Sequence, residues 1–92
     1  MEEKECKKIV FFGLVQGVGF RWFIKKNAQK LGLKGHVRNL DDKSVEIIVL
    51  GKDFDIDSLF AICMKGNGFS KISDYNIEKW NCKDIKDSFK IL

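Results

Sequence analysis

The feature that most constrains this sequence is an apolar run that ends in a glycine-containing loop and continues directly as an amphipathic helix. Most positions of residues 9–15 are β-branched or aromatic, which is typical of a central β-strand. After the loop Gln16–Gly19, apolar residues recur every three or four positions, and Gly32 suits the turn that follows a last helical residue. The pattern predicts a strand from Lys7 to Val15 and a helix from Phe20 to Leu31.

The remaining residues predict a β-hairpin, a second helix and two further strands. The expected elements are hairpin strands at residues 35–39 and 44–51, a helix at about 55–65, a strand through Ile72, Tyr75 and Ile77, and a short strand at 88–92. The order β-α-β-β-α-β is that of the ferredoxin-like sandwich, with two helices on one face of an antiparallel sheet. The predicted fold class is therefore α+β, ferredoxin-like.

The length and composition favour one small domain. The chain has 92 residues, 45% of them hydrophobic and none of them Pro, which is enough for a single core. Residues 7–92 are expected to form that domain, and residues 1–6 a mobile N-terminal extension. Apolar runs are far shorter than the roughly 20 residues of a membrane-spanning helix, so no membrane partner is expected.

The N-terminal and cysteine patterns bear on location and metal binding. Because the first residues are charged and contain no hydrophobic segment, a cytoplasmic location is expected, with Cys6, Cys63 and Cys82 as thiols. There is no C-x-x-C, and His36 is the sole histidine, so no zinc-ligand spacing can be assembled. No metal site is expected.

The loop before the first helix is a candidate anion site. Glycines allow successive backbone N–H groups to turn inward, and a helix N-terminus adds partial positive charge. Arg21 follows in the first turn, and it is one of two arginines against fifteen lysines. A dinucleotide fingerprint is excluded because Trp22 stands where Gly or Ala is required, and no Gly-Lys-Ser/Thr occurs. The residues alone leave open a simple strand-to-helix turn with a surface arginine.

Two strings of residues resemble the signature of the acylphosphatase family. They are Val15-Gln16-Gly17-Val18-Gly19-Phe20-Arg21 and Leu31-Gly32-Leu33-x-Gly35-x-Val37-Arg38-Asn39. The resemblance continues through Val45-Glu46-Ile47, the glycine-rich turn after the second helix and Phe89-Lys90-Ile91, so that it spans about residues 7 to 92.

The resemblance implies hydrolysis of acyl phosphates without metal or cofactor, by a cytoplasmic monomer whose partner is a small molecule. Arg21 and Asn39 would be the catalytic residues, with Asn39 orienting the attacking water and Arg38 outside the pair. Inorganic phosphate or sulfate would bind the same site. The phosphoryl group would be held by the backbone of Gln16, Gly17, Val18, Gly19, Phe20 and Arg21.

The chain departs from the family pattern at two positions, and two alternative functions stay open. His36 replaces the usual aromatic residue, and Lys43 occupies a hairpin position that the family commonly fills with Gly. One alternative is a noncatalytic acyl- or carbamoyl-phosphate-binding domain of the same fold, as in hydrogenase-maturation proteins. The other is an RNA-binding module, since the net charge is +4 and ferredoxin-like sheets can bind RNA through exposed aromatics. No aromatic-rich RNA-binding string is present, so no nucleic acid is expected.

Overall fold

A computed structural model describes residues 3–92 as two helices on a five-stranded sheet. The strand order across the sheet is β4-β1-β3-β2-β5. In chain order the elements are β1 (Lys4–Leu14), α1 (Phe20–Lys30), β2 (Lys34–Asn39), β3 (Val45–Lys52), α2 (Asp53–Lys65), β4 (Lys71–Lys79) and β5 (Phe89–Ile91).

The pairing of β3 brings the ends of β1 and β2 to the same edge of the sheet. Both strands pair antiparallel with β3, so they run in the same direction. Phe11 of β1 and Asn39 of β2 are both opposite Val45, one on each side of β3. The loop that follows β1 therefore emerges beside the C-terminal end of β2.

The core lies between the two helices and one face of the sheet. Alternate strand residues such as Ile9, Ile47 and Val49 are buried against the helices, as expected for a sheet with one apolar face. The ring of Phe11 packs edge-on against Phe20 at a centroid distance of 5.9 Å. Because Phe20 is the first residue of α1, this contact fixes the start of the helix to the central strand.

The predicted ferredoxin-like fold class is confirmed, with one difference in the sheet. We expected an antiparallel sheet, but β5 pairs parallel with β2, so the sheet is mixed. The physical reason is that β4 and β5 lie on opposite edges. The chain must cross the sheet between them and arrives at β2 in the parallel direction. Residues 80–88, which make this connection, are called the crossing segment below.

A disulfide attaches the crossing segment to the sheet, which corrects the expectation of three thiols. Cys6 of β1 is bonded to Cys82, with a Cα–Cα distance of 5.8 Å. The expectation was wrong because it rested only on the reducing conditions of the expected cytoplasmic compartment. The crossing segment brings together two cysteines that are 76 positions apart in the sequence. Cys63 is a buried thiol, and burial raises its pKa to about 12.

The N-terminal residues differ from the predicted mobile extension. β1 begins at Lys4, and Lys4 to Cys6 pair with Lys52 to Leu50 of β3. Pairing with β3 gives these residues a place in the sheet. Met1 and Glu2, the first part of the predicted extension, lie outside the described residues. Neither described helix is long and apolar enough to cross a membrane.

Candidate active site

The β1–α1 loop, residues 15–19, joins the central strand to the first helix and presents its backbone. Gly17 and Gly19 both have φ of +74°, a left-handed conformation that side chains with a Cβ rarely adopt. Gly19 is also the N-cap residue of α1, so no side chain caps the helix, and the first turn contains no acidic residue. The partial positive charge of the helix start is therefore not neutralised by a nearby side chain.

The backbone N–H groups of this loop and of the first helical residues are available to a ligand. Within residues 3–92, no hydrogen bond connects the N–H groups of residues 16–21 to a protein acceptor. The first bond of the helix is donated by Phe23 to the carbonyl of Gly19, at 3.1 Å. Free donors at a helix N-terminus form a ready site for an anion.

A small concave site opens at this loop. Its volume is about 180 Å³, and Arg21 lies on its wall. The complete lining is Val15, Gly17, Gly19, Phe20, Arg21, Trp22 and Ile91. Four of the predicted phosphate-binding residues thus surround the site, whereas Gln16, Val18 and Asn39 are not on its wall.

The side chain of Gln16 connects the loop to the β2–β3 hairpin. Its Nε2 donates to the carbonyl oxygens of Leu40 and Ser44, each at 2.9 Å. Both acceptors lie in the turn that follows Asn39. The side chain therefore holds the loop beside the end of β2, while the backbone N–H of Gln16 stays available.

A second route connects Arg21 to the end of β2. Arg21 Nη1 donates to the carbonyl oxygen of Leu92 at 3.4 Å, and the Leu92 N–H donates to the carbonyl oxygen of Val37 at 2.9 Å. Val37 lies two residues before Asn39. Two independent sets of hydrogen bonds thus bring the loop and Arg21 to the strand end that carries Asn39.

The two polar residues at the end of β2 point to different sides of the sheet. Asn39 is exposed and follows Val37 on the side that faces the helices, because alternate residues share a face. Arg38 lies on the other side, where its Nε donates to Glu46 Oε1 at 2.9 Å. The guanidinium of Arg38 is thus engaged in an ion pair away from the β1–α1 loop.

The turn between β2 and β3 keeps its shape despite the lysine at residue 43. Lys43 adopts φ of +78°, the left-handed conformation that Gly would take without strain. Asp42 accepts hydrogen bonds from the hydroxyl and the N–H of Ser44, and these bonds lower the pKa of Asp42. The side chain of Asp42 therefore stabilises a turn that contains a strained residue.

No metal-ligand cluster occurs in the part of the chain that the structure describes. Among residues 3–92, no group of three or more His, Cys, Asp and Glu side chains is arranged to hold an ion. His36 lies on the helix-free face of the sheet, where burial lowers its pKa. The β1–α1 loop offers donors, and its arrangement suits an anion.

Comparisons with known proteins agree with this geometry. The family model described as acylphosphatase matches residues 7–91. The chain belongs to the acylphosphatase family. An acylphosphatase from Fervidobacterium nodosum is 48% identical over 80 residues, which cover 84% of this chain and 88% of that protein. The crystal structure of the acylphosphatase from Bacillus subtilis matches with a TM-score of 0.89 and 33% identity, over 98% of this chain and 99% of that one.

The same fold occurs as part of a larger protein. Full-length HypF, crystallised in its phosphate- and nucleotide-bound form, matches all of this chain with a TM-score of 0.83 and 34% identity. The match covers only 12% of HypF. An acylphosphatase-like unit of this size is thus found both as a protein of similar length and as one segment of a long chain.

Sequence reasoning missed four residues around the β1–α1 loop, three of which come from distant parts of the chain. Ile91 lines the site, and Leu92 accepts the hydrogen bond of Arg21. Trp22 lies on the wall and is 62% exposed. Asn67 donates from Nδ2 to the carbonyl oxygen of Val18 at 2.8 Å. The sequence signal for Asn67 was its position between two glycines after α2, in the glycine-rich turn that we assigned to the family resemblance without giving Asn67 a role.

Proposed function

We propose that the protein is a metal-independent acylphosphatase, which hydrolyses the carboxyl–phosphate anhydride of acyl phosphates by attack of water on phosphorus. The observation that carries the proposal is the set of unpaired N–H groups at residues 16–21, with Arg21 on the wall of the same site. The products would be a carboxylate and inorganic phosphate. Membership of the acylphosphatase family supports the same reaction class.

The phosphoryl group would bind to the β1–α1 loop and to the side chain of Arg21. A phosphoryl transition state spreads negative charge over its equatorial oxygens, and fixed N–H donors stabilise that charge without covalent chemistry. The arginine fork can donate two parallel hydrogen bonds to phosphate oxygens, which lysine cannot do. Inorganic phosphate and sulfate, which present the same oxygens, would bind there too.

Asn39 would orient the attacking water. Its place at the end of β2 is supported by the bonds from Gln16 to the following turn and from Leu92 to Val37. An amide side chain can accept from water through its oxygen and donate through its nitrogen, so it can hold a water in one direction. Holding the water in line with the leaving group lowers the entropic part of the barrier.

The leaving group explains why this site needs no general acid. An acyl phosphate releases a carboxylate, whose conjugate acid has a pKa of about 4, so the oxygen leaves at neutral pH without a proton. An alkyl phosphate releases an alkoxide and requires far more help. A site with backbone donors, an arginine and an asparagine therefore suits mixed anhydrides better than phosphomonoesters.

The proposed acylphosphatase is a monomer. The proposed location is cytoplasmic. The Cys6–Cys82 disulfide is the observation against that location, since disulfides are uncommon in reducing compartments.

The second candidate is a binding module that holds a phosphorylated ligand without hydrolysing it. The likeness to one segment of HypF favours this candidate, because the fold serves there within a longer chain. RNA binding is disfavoured by the crossing segment. It lies over the helix-free face of the sheet, which is the face that RNA-binding modules of this fold expose.

The test is hydrolysis of benzoyl phosphate by the purified protein, with and without EDTA, beside the Asn39→Ala variant. The proposal predicts turnover that resists EDTA and that falls strongly in Asn39→Ala. Loss of turnover on addition of EDTA, with recovery on addition of a divalent metal, would contradict metal independence. Binding of inorganic phosphate without any turnover would favour the binding module.

A further inference from the structure

The loop that follows α2 contacts the β1–α1 loop through one side chain, that of Asn67. Its Nδ2 donates to the carbonyl oxygen of Val18 at 2.8 Å, across 49 positions of sequence. A Cβ built onto Gly19 would lie 3.8 Å from the same nitrogen. Asn67 therefore lies against the peptide that joins Val18 to Gly19.

The orientation of the Asn67 amide is fixed by two hydrogen bonds within its own loop, and a third bond holds its backbone. Oδ1 accepts from the N–H groups of Phe69 and Ser70, each at 2.9 Å. The backbone N–H of Asn67 donates to Ser70 Oγ at 3.3 Å. Turning the amide over would place its NH₂ group against two N–H donors and its oxygen against the carbonyl of Val18. One orientation is therefore strongly favoured, and it directs Nδ2 at the loop.

The bond to Val18 decides which way the next N–H group points. In a trans peptide the C=O and the N–H point in opposite directions, and the described chain contains no cis peptide. Gly19 lines the concave site, whereas neither Val18 nor Asn67 does. The carbonyl of Val18 is thus held toward Asn67, which lies outside the site, and the N–H of Gly19, on the opposite side of the same peptide, points away from Asn67.

This peptide needs such a constraint because of the residues on either side of it. Gly17 and Gly19 permit many backbone conformations, so the peptide between Val18 and Gly19 can rotate at low cost. A rotated peptide would present a carbonyl oxygen to the phosphoryl group in place of an N–H donor. Repulsion would then replace one of the stabilising hydrogen bonds.

We propose that Asn67 is a positioning residue that orients the Gly19 N–H toward the phosphoryl group of the substrate. This inference rests on the proposed function, since it assumes that the β1–α1 loop binds phosphate. Asn67 does not touch the substrate itself. It acts through the backbone of Val18 and Gly19. It lies in the loop after α2, which is outside the sequence motif of the β1–α1 loop.

The decisive variant is Asn67→Asp. The carboxylate keeps the two bonds accepted from Phe69 and Ser70 but has no hydrogen to donate to Val18. Asn67→Ala removes all side-chain bonds and adds no charge. Phe69→Asp is the matched charge control: it adds the same charge to the same loop with Asn67 in place, at a side chain that is 72% exposed.

Two readouts separate positioning from a general loss of stability. The first is the shift of backbone amide signals when inorganic phosphate is added to the ¹⁵N-labelled protein. The second is kcat/KM for benzoyl phosphate at a temperature where every variant is folded. We expect the phosphate-induced shift of Gly19 to fall to half or less in both Asn67 variants, and kcat/KM to fall roughly 10- to 100-fold. Phe69→Asp should stay within about threefold of the parent protein.

The outcomes distinguish this inference from the proposed function. The role of Asn67 would be overturned if Asn67→Ala kept both the phosphate-induced shift of Gly19 and kcat/KM within twofold of the parent values. This would hold even if Asn67→Asp and Phe69→Asp both lost activity through their added charge. A lower melting temperature with an unchanged Gly19 shift would also overturn it. If no amide of residues 16–21 in the parent protein responds to phosphate, the phosphate-binding loop itself is wrong, and the inference fails with it.

Discussion

The β1–α1 loop and the crossing segment are attached to the rest of the molecule by different kinds of interaction. The loop is five residues long, and two amide side chains hold it. That of Gln16, within the loop, donates to backbone carbonyls of the β2–β3 turn, and that of Asn67, from the loop after α2, donates to the carbonyl of Val18. The N–H groups of the loop itself stay free of protein acceptors. The crossing segment is longer and mostly exposed. A disulfide at Cys82 and backbone bonds at its two ends attach it to the sheet.

The difference separates activity from stability. In the proposed function the loop presents its donors to the phosphoryl group, so its contribution to binding depends on the orientation of a few peptides. The crossing segment contributes through a covalent bond that closes a long loop and through the contacts of Lys8 with the Trp80 ring and of Lys34 with Asp87. Substitutions in the first region should therefore lower the rate with little change in stability, and substitutions in the second should do the reverse.

The largest expected effect is on the rate, at Arg21. Arg21→Ala should lower kcat/KM for benzoyl phosphate by about 10² to 10³, because it removes a charged donor from the transition state. Arg21→Lys should recover little of this loss, since lysine lacks the planar fork. Steady-state kinetics measure both variants. Thermal unfolding should be nearly unchanged, because the only protein hydrogen bond described for this side chain is the long one to Leu92. Turnover near the parent value in Arg21→Ala would contradict the assignment.

The next effect is on stability, at the disulfide. Replacing Cys6 and Cys82 together with serine should lower the free energy of unfolding by about 2–4 kcal/mol, because the bond restricts a long stretch of the unfolded chain. Denaturant titration measures this change. At 25 °C, kcat should stay within about twofold of the parent value. Cys63→Ser is not a suitable control because Cys63 is buried in the core, so the parent protein with and without reductant serves instead.

A smaller, pH-dependent effect is expected at His36, which lies beneath the crossing segment. Burial lowers the pKa of His36, and the positive charge of Arg38 also lowers it, while Glu46 acts in the opposite direction. The folded state therefore favours the neutral ring. Its contribution to stability is present above the unfolded pKa of about 6.5 and is lost as the pH falls through the folded pKa. Melting temperatures at pH 7.5 and 5.5 should differ less in His36→Phe than in the parent protein. An equal difference in both proteins would show that His36 does not contribute to the pH dependence of stability.

The smallest effect is expected in the hairpin turn that Gln16 contacts. Lys43→Gly should raise the free energy of unfolding by about 0.5–1 kcal/mol, because glycine adopts a positive φ without the strain of a side chain. The gain is limited by the extra freedom that glycine gives to the unfolded chain. Thermal unfolding measures it, and Lys43→Ala is the matched control. Equal stability of the glycine and alanine variants would mean that Lys43 is not strained.

The sequence predicted those features of the fold and the site that depend on the pattern of neighbouring residues. The apolar periodicities predicted the order of helices and strands, and the glycines around Val18 predicted a loop whose N–H groups are free of protein acceptors. Contacts between distant residues were not predictable in the same way. The Cys6–Cys82 pairing depends on where the crossing segment runs, and the bond from Asn67 to Val18 depends on how the loop after α2 packs. Neither leaves a pattern in the spacing of nearby residues.

The departures from the family pattern show the same limit. A lysine in place of glycine at residue 43 put the turn in question, but Asp42 and Ser44 hold the turn, and Lys43 takes the left-handed conformation. The sequence identified residue 43 as the position where the turn departs from the family pattern. Only the structure shows that the turn is kept and that Lys43 is strained.

The central claim is that the loop and Arg21 bind the phosphoryl group while Asn39 directs the water. The most direct test measures two quantities in Arg21→Ala and Asn39→Ala: kcat for benzoyl phosphate and the dissociation constant of inorganic phosphate. Arg21→Ala should weaken phosphate binding and lower kcat. Asn39→Ala should lower kcat about 10-fold or more and leave phosphate binding within twofold of the parent. Weakened phosphate binding in Asn39→Ala with an unchanged kcat would contradict the central claim.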